Sequence, residues 1–414
     1  MSHLYNISIY LYSFFIQIAS VFNSKARLWV DGRKDIFERI HAALEDEPTG
    51  EERKIAWFHC ASLGEFEQGR PVIEEFRSRF PAYKIFLTFF SPSGFEVRKN
   101  YKDADYIFYL PADTRLNAER FISIVNPRMV FFIKYEYWYN YLRCLHNKEI
   151  PFYIISAIFR PGQHFFKWYG SWFRDQIKQV TCFFLQDNES AKLLLKIGIN
   201  RFSVTGDTRF DRVYAIARQF HSYPLIEEFC RDSQVILAGS SWAEDEEILF
   251  PMMNKSGSSL RFIIAPHETH SERISSLISR LKIPALRYSE AGNENIHDFR
   301  VLIIDSIGIL AHLYQYPFIA YIGGGFGSGI HNILEAAAFG VPVIFGPNYK
   351  KFREAKELIS LGGAFTISDA NQFIQITNRL LTHTEEYSTS SVICYQYVQE
   401  HKGVTEKILE KING

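Results

Sequence analysis

The sequence has no excess of either charge: 46 Lys and Arg stand against 46 Asp and Glu. Nothing in that balance provides the basic field that holds a nucleic-acid backbone, so no nucleic-acid partner is expected. Paired cysteines are also lacking. Cys60, Cys144, Cys182, Cys230 and Cys394 are odd in number and scattered, without CxxC or Cys/His ligand spacing. This argues against a disulfide framework or a zinc site and suits a reducing compartment. No D-x-D follows a strand and there is no H-E-x-x-H or EF-hand loop, so no metal site is expected. G-x-S-x-G is missing, which disfavours an α/β-hydrolase. G-K-[ST] and the dinucleotide fingerprint are missing too. No repeat or low-complexity block appears.

What is present is length, apolar material and aromatics. A chain of 414 residues is too long for one compact core and suggests two domains. Its 37 Phe and 23 Tyr suit bulky cores and surfaces that meet lipid or sugar. Leu4 to Phe22 carry no charge, with Leu4, Ile7, Leu11, Phe14, Phe15, Ile18 and Phe22 at helical spacing and Asn6, Ser13, Gln17 and Ser20 on another face. No basic n-region or small-residue cleavage site marks a secretory signal. Two readings stay open: a membrane-seated helix with Lys25 and Arg27 at its end, or an N-terminal helix docked on the domain.

Beyond this segment, short apolar runs alternate with helical patterns. Strands are predicted at 54–59, 84–89, 106–110, 129–134, 152–156 and 180–185, with a helix over 65–79 turning Val72, Ile73, Phe76 and Phe80 inward. A second series runs through 234–239, 260–266, 300–305, 318–323 and 342–346. Continuous apolar strands alternating with helices indicate parallel sheets covered on both faces. The fold class is therefore α/β: two doubly wound, Rossmann-like domains with a cleft between them. The expected divisions are a membrane-associated segment 1–22, a domain 23–205, a linker 206–233, a second domain 234–384, and a closing helical stretch 385–414 packing back toward the first domain. Ligands of such sheets bind beyond the C-terminal strand ends.

The sharpest motif is residues 322–347, where a strand, a glycine-rich loop holding Gly325, and a helix expected to start near Ile330 follow one another. Loop and helix start suit a phosphate. His331 and Glu335, four apart, are expected on one helix face, with Glu335 toward ribose hydroxyls and His331 or Asn332 near phosphate. Glu65, after the first strand, fits a capping box with Ser62 or a base taking a proton from an acceptor hydroxyl. Glu136 follows the strand 129–134 among Tyr135, Tyr137 and Trp138, and reads equally as a sugar contact or a buried structural carboxylate. Ser240 and Ser241 precede a second helix start with Glu244 as its box residue. His267 follows another strand, and Arg209 sits in the linker, where a cation suits an anionic substrate.

Taken in order, ASLGE (61–65), TFFSPSG (88–94), YLPADT (109–114), KYEYW (134–138), VTGDTRFD (204–211), AGSSWAEDE (238–246), GGGFGSGIHNILEAA (323–337) and GPNYKKF (346–352) resemble the 3-deoxy-D-manno-octulosonic acid (Kdo) transferases of lipopolysaccharide assembly, which have the GT-B fold. The resemblance implies metal-independent transfer of Kdo from CMP-Kdo to a lipid A precursor, lipid IVA, with inversion. It implies work on the cytoplasmic face of the inner membrane, with no cofactor beyond the donor substrate. By it, Glu65 is the general base, Glu136 and Arg209 meet the acceptor, and Ser240, Ser241, His267, Gly325, His331, Asn332 and Glu335 meet the donor. Departures from the pattern are Pro266-His267-Glu268 for Pro-Arg-His, Tyr139 for proline after Trp138, Arg209 for lysine, and Ser156-Ala157-Ile158-Phe159-Arg160 for the Asn-Ala-Arg stretch. The alternatives are a GT-B enzyme using a UDP-sugar on a lipid or cell-wall acceptor, and an inactive membrane-bound nucleotide-binding relative.

Overall fold

A computed structural model of the chain describes residues 1–48, 50–255, 260–291 and 296–413. The chain divides into two compact units, Met1–Arg212 with the segment from Gly403, and Val213–Lys402. In the first unit β1 (Ile55–Cys60), β2 (Lys84–Phe89), β3 (Tyr106–Tyr109), β4 (Met129–Ile133), β5 (Phe152–Ala157), β6 (Cys182–Leu185) and β7 (Phe202–Val204) form one parallel sheet in the order β3-β2-β1-β4-β5-β6-β7. Both faces are covered, which is why β1 is buried along its whole length. Its residues alternate between two cores. Ile55 and Trp57 join one cluster with Phe86, Phe121 and Tyr141, while Ala56, Phe58 and Cys60 join the other with Phe66, Val72 and Phe76 of the helix Leu63–Arg79.

The second unit repeats the plan. β8 (Val235–Ser241), β9 (Arg261–Pro266), β10 (Ala285–Arg287), β11 (Val301–Ile303), β12 (Ile319–Ile322), β13 (Val343–Phe345) and β14 (Ala364–Thr366) pair in parallel in the order β10-β11-β9-β8-β12-β13-β14. In both sheets the order reverses beside the first strand of the unit, the switch point where α/β sheets bind ligands. The eleven predicted strands are found within one or two residues of their expected ends. Only β7, β10 and β14, each three residues long, went unforeseen.

Two expected segments differ from the observed ones. The stretch 206–233 is largely helical, with helices Arg209–Ala217 and Pro224–Cys230, and the boundary between the units falls inside the first of them. The closing stretch divides at Lys402: helix Thr384–His401 belongs to the second unit and helix Val404–Asn413 to the first, with Gly414 outside the described residues. Val404, Ile408 and Leu409 complete the core around Phe58 and Phe76. Asp211 caps the closing helix, its carboxylate accepting the N–H groups of Gly403 (2.6 Å), Val404 (3.3 Å) and Thr405 (2.6 Å).

The N-terminal helix spans Ser2–Ala19. No helix among the described residues is long and apolar enough to cross a membrane. The helix is docked inside out. Tyr5, Asn6, Ile9, Ser13 and Ile16 form its half-buried stripe, while Leu4, Ile7, Leu11, Phe14, Phe15 and Ile18 are exposed. The Tyr5 hydroxyl donates to Asp113 at 2.6 Å, and Asn140 Nδ2 donates to Asn6 Oδ1 at 2.8 Å. Tyr12 packs on Trp29 and Phe90.

Asp211→Ala leaves the first turn of the closing helix without its cap, at a cost of roughly 1–2 kcal/mol. Hydrogen exchange should show faster exchange across 404–413 and little change in β1 and β4. Unchanged exchange in 404–413 would remove Asp211 as the clamp.

Candidate active site

In the first unit the strands β1 and β4 end side by side and deliver Glu65 and Glu136. Ser62 caps the helix Leu63–Arg79, its hydroxyl accepting Glu65 N–H at 3.5 Å. The Glu65 carboxylate turns back and accepts the Ala61 N–H at 2.6 Å. Cap and cleft carboxylate, opposed readings in the sequence, are thus one geometry. Burial, then the charge of Glu136, pushes the Glu65 carboxyl up to about 8, against the pull of the Ala61 and Ser62 amides and Lys134.

Glu136 is buried and held by side chains the motifs did not flag. Trp138 Nε1 donates to its Oε2 at 2.5 Å, and His59 Nε2 lies 3.3 Å from the same oxygen. On the far side of the fully buried His59 ring, Nδ1 lies 2.8 Å from Thr88 Oγ1, which also accepts Trp57 Nε1–H at 2.8 Å. The proton positions follow by elimination. Trp57 can only donate. The Glu136 carboxylate can only accept, so His59 Nε2 donates to it and Nδ1 is left to accept from the Thr88 hydroxyl at 2.8 Å, nearer than that hydroxyl's other acceptor, the Phe58 carbonyl at 3.5 Å. Trp57–Thr88–His59–Glu136 is therefore a directed chain that fixes the carboxylate by one oxygen. Lys134, just before this turn, has φ 70°, a left-handed conformation rare outside glycine that marks the abrupt strand ending.

Arg209 lies in the same unit. Its guanidinium binds buried Asp207, with Nε at 2.9 Å and Nη2 at 2.8 Å from Oδ2. Asp207 Oδ1 takes the Arg209 N–H at 2.9 Å and faces Gln68 of the Glu65 helix at 3.5 Å. Arg209 is thus anchored through one carboxylate, which presents it in a defined direction.

The second unit brings its residues together around the ends of β8, β9 and β12. Ser240 takes φ 53° at the end of β8, which turns the next residue inward. Ser241, expected at the phosphate, directs its hydroxyl to buried Glu246 instead, at 3.0 Å, where Arg273 also binds. The box residue of the following helix Ala243–Met253 is Asp245, not Glu244. Its Oδ2 accepts the N–H groups of Trp242 (2.9 Å) and Gly324 (2.8 Å), and its Oδ1 the Tyr321 hydroxyl (2.8 Å). One buried carboxylate thereby ties the β8 turn to the glycine-rich loop. In that loop Gly324 has φ 88°. A Cβ on Gly325 would sit 2.5 Å from the Gly346 nitrogen, so backbone packing against the end of β13 already demands glycine there.

The helix after the loop spans only Leu334–Ala337. His331 precedes it and does not share a helix face with Glu335, contrary to expectation. The segment 330–333 is held by other bonds: His331 N–H to Gly323 carbonyl at 3.1 Å, and Asn332 Nδ2 to Glu335 at 3.1 Å. Trp242 Nε1 donates to His331 Nε2 at 3.1 Å, and the His267 ring stacks on both, 4.5 Å from Trp242 and 4.7 Å from His331. Burial, then the neighbouring His267, pushes the His331 imidazole down to about 4. It stands neutral, with Nε2 accepting from Trp242 and Nδ1 carrying the hydrogen. The imidazole of His267 occupies the place where the family pattern has arginine.

The family model of the 3-deoxy-D-manno-octulosonic-acid transferases (kdotransferases) matches residues 34–212. The chain is 26% identical to the 3-deoxy-D-manno-octulosonic acid transferase of Haemophilus influenzae over 369 residues, covering 86% of this chain and 85% of that protein. It is 27% identical to that of Aquifex aeolicus over 366 residues, covering 86% and 94%. Among solved structures, a glycosyltransferase from Rickettsia africae superposes with a TM-score of 0.58 at 15% identity, covering 86% of this chain and 97% of that one. The UDP-GlcNAc 2-epimerase of Neisseria meningitidis superposes with a TM-score of 0.61 at 16% identity, covering 86% and 100%. At such identities these superpositions speak to the fold alone. Two parallel-sheet α/β units of this kind resemble those of GT-B glycosyltransferases in fold. The Kdo transferase relatives, matched over most of the chain, indicate a glycosyltransferase.

The directed chain behind Glu136 predicts a single His59 tautomer. Long-range imidazole NMR on 15N-histidine-labelled protein should show His59 protonated at Nε2, a preference that Glu136→Leu should abolish. A protonated Nδ1 in the parent protein would reverse the direction of the chain.

Proposed function

We propose that this enzyme transfers Kdo from CMP-Kdo to a lipid A precursor at the cytoplasmic face of the inner membrane, without a metal and with inversion. The observation that carries this reading is the half-buried Glu65 beside the buried Glu136. A carboxyl lifted to about 8 is a far stronger base than an exposed one and can take a proton from a sugar hydroxyl. Glu136, fixed by its Oε2, keeps its other oxygen to orient that hydroxyl. As the acceptor oxygen bonds to the anomeric carbon of Kdo, its proton passes to Glu65 and the bond from that carbon to the CMP phosphate oxygen breaks. Attack and departure on opposite sides of one carbon give inversion. CMP leaves with the bonding pair, and in the second unit the glycine-rich loop amides, the neutral His331 N–H and Asn332 are the groups suited to that charge. Glu335 is suited to the ribose hydroxyls. The exposed apolar face of the N-terminal helix supports work at a membrane surface. A donor nucleotide other than CMP, notably UDP, remains the competing reading, and transfer assays with mass spectrometry of the lipid product discriminate the two.

The sign of the pH dependence follows from Glu65 acting as a base. Transfer per free enzyme should climb about tenfold per pH unit below about 8 and level off above it. Glu65→Gln should lower turnover by roughly 10²–10⁴-fold, remove this limb, and leave CMP-Kdo affinity as in the parent. Turnover surviving in that variant would take Glu65 out of the mechanism. Glu335→Ala should weaken CMP-Kdo binding by about 10- to 100-fold. Calorimetric titration giving the parental affinity would argue against its ribose role.

A further inference from the structure

The turn after β9 presents an imidazole where the family pattern has arginine: Pro266 is followed by His267. An arginine holds its charge at any working pH, whereas a histidine changes charge within the physiological range. The His267 ring is exposed, and its backbone N–H is fixed to the Ser241 carbonyl at 3.0 Å. The ring lies 4.5 Å from Trp242 and 4.7 Å from His331, each at an interplanar angle of 26°. His331 in turn lies against the glycine-rich loop, where a Cβ on Gly324 would come within 3.2 Å of its ring. His267 therefore belongs to one stack that ends on that loop.

Two imidazoles so close do not both become charged, because like charges at this distance repel. His331 is the one excluded: burial, then His267, pushes it down to about 4, and its Nε2 accepts the Trp242 N–H at 3.1 Å. The stack thus has room for one proton, on its exposed ring. Most of the charged groups around it already have partners. On the helix Ala243–Met253, Asp245 accepts the N–H groups of Trp242 and Gly324 and the Tyr321 hydroxyl, and Glu246 binds Arg273 at 2.5 Å. Glu244 is exposed in the first turn of that helix. On the β9 turn itself, Glu268 lies 3.5 Å from His270 Nε2. Among the described residues no carboxylate forms an ion pair with His267, so an anion that pairs with it comes from outside the chain.

We propose that His267 is the cation of the donor site and that it takes its proton from solvent when the donor phosphate binds. The proposal rests on the donor reading above and adds a proton-coupled step to it. The phosphate of CMP-Kdo is a diester with one negative charge. Once its bond to the anomeric carbon breaks, CMP is a monoester with nearly two. A proton on His267 is held more tightly beside the second charge, so the group favours departure of CMP over the bound donor. This proton is separate from that of the acceptor, which passes to Glu65.

The test uses the full chain and CMP between pH 7 and 9, where the monoester phosphate, with a second pKa of about 6, is a dianion. Calorimetric titrations in buffers of different ionisation enthalpy should show uptake of about one proton per CMP bound. The complex then holds a proton that the free protein lacks, so affinity falls as pH rises, by about tenfold per pH unit. Ring 15N shifts should place the new proton on His267. His267→Gln should bind about tenfold more weakly at pH 7, with no uptake and an affinity flat across the range. His267→Arg should be equally flat and should bind more tightly than the parent at pH 9. CMP binding by the parent without uptake, uptake that persists in His267→Gln, or a proton that appears on His331 would each overturn the assignment and leave the transferase reading intact. A parent that binds UDP and not CMP would overturn the CMP reading alone, and uptake with UDP would still decide the part of His267. A parent that binds neither nucleotide would overturn both.

Discussion

A half-buried carboxyl beside a buried carboxylate is the constraint on which the first unit turns. Glu65 is lifted by its burial and further by the charge of Glu136. A mobile Glu136 would swing away, the repulsion would relax, and Glu65 would become a weaker base. The structure prevents this by gripping Glu136 at one oxygen with N–H groups from Trp138 and His59. His59 is in turn backed by Thr88, its direct neighbour in the register of β1 against β2. Basicity at Glu65 is thus maintained by a chain of donors that begins at Trp57 in the sheet core. The counterweights are equally local: the Ala61 amide and Lys134 limit the rise and keep Glu65 able to ionise near neutral pH.

The second unit treats charge in the opposite way. The cation that the family pattern places after β9 is absent, and in its place is an imidazole stacked between Trp242 and His331. His331 is neutral, and its tautomer is set by the Trp242 N–H. A phosphate in such a place is met by oriented dipoles, loop amides and one imidazole N–H, with less dependence on long-range attraction. That arrangement requires rigid geometry, because a dipole falls off faster with distance and angle than a charge. Asp245 supplies the rigidity by holding the β8 turn and the glycine-rich loop with one carboxylate group. The left-handed backbone at Ser240 and Gly324 belongs to the same economy of tight turns.

Most of the sheet framework was legible in the sequence because buried parallel strands are continuous apolar runs. KIAWFH, MVFFIK and FIAYIG could be little else. The missed strands β7, β10 and β14 are partly buried edge strands and lack the continuous apolar run that marks the equally short β11 and β13. Glu65 and Glu136 were legible as strand-end carboxylates, but their partners were not. His59 and Thr88 are single polar residues inside apolar strands, and only the register of β1 against β2 shows that they meet. Asp245 was passed over for Glu244 because the capping position depends on which residue opens the helix, and that was misplaced by one. The expected helix over 330–335 failed for a related reason: the Asn332 side chain accepts the Leu334 N–H at 3.2 Å, which starts the helix there and not at Ile330. Sequence spacing does show which residues bear chemistry. It does not show which of their hydrogen bonds are already committed.

The N-terminal helix carries the same lesson to the surface. Its apolar residues repeat at helical spacing, and by the ordinary rule that face should be buried. The opposite is true: Phe15 is 62% and Leu4 65% exposed, while the docked stripe contains Asn6 and Ser13. An amphipathic helix docks by its polar stripe only when polar partners bind it there and an apolar environment awaits the other face. The partners are present in Asp113 and Asn140, which take Tyr5 and Asn6. Exposing so large an apolar face in water loses about 25 cal/mol for each Å² left unburied. The proposed work at a lipid surface would cover that face and leave the docked side held by Asp113 and Asn140.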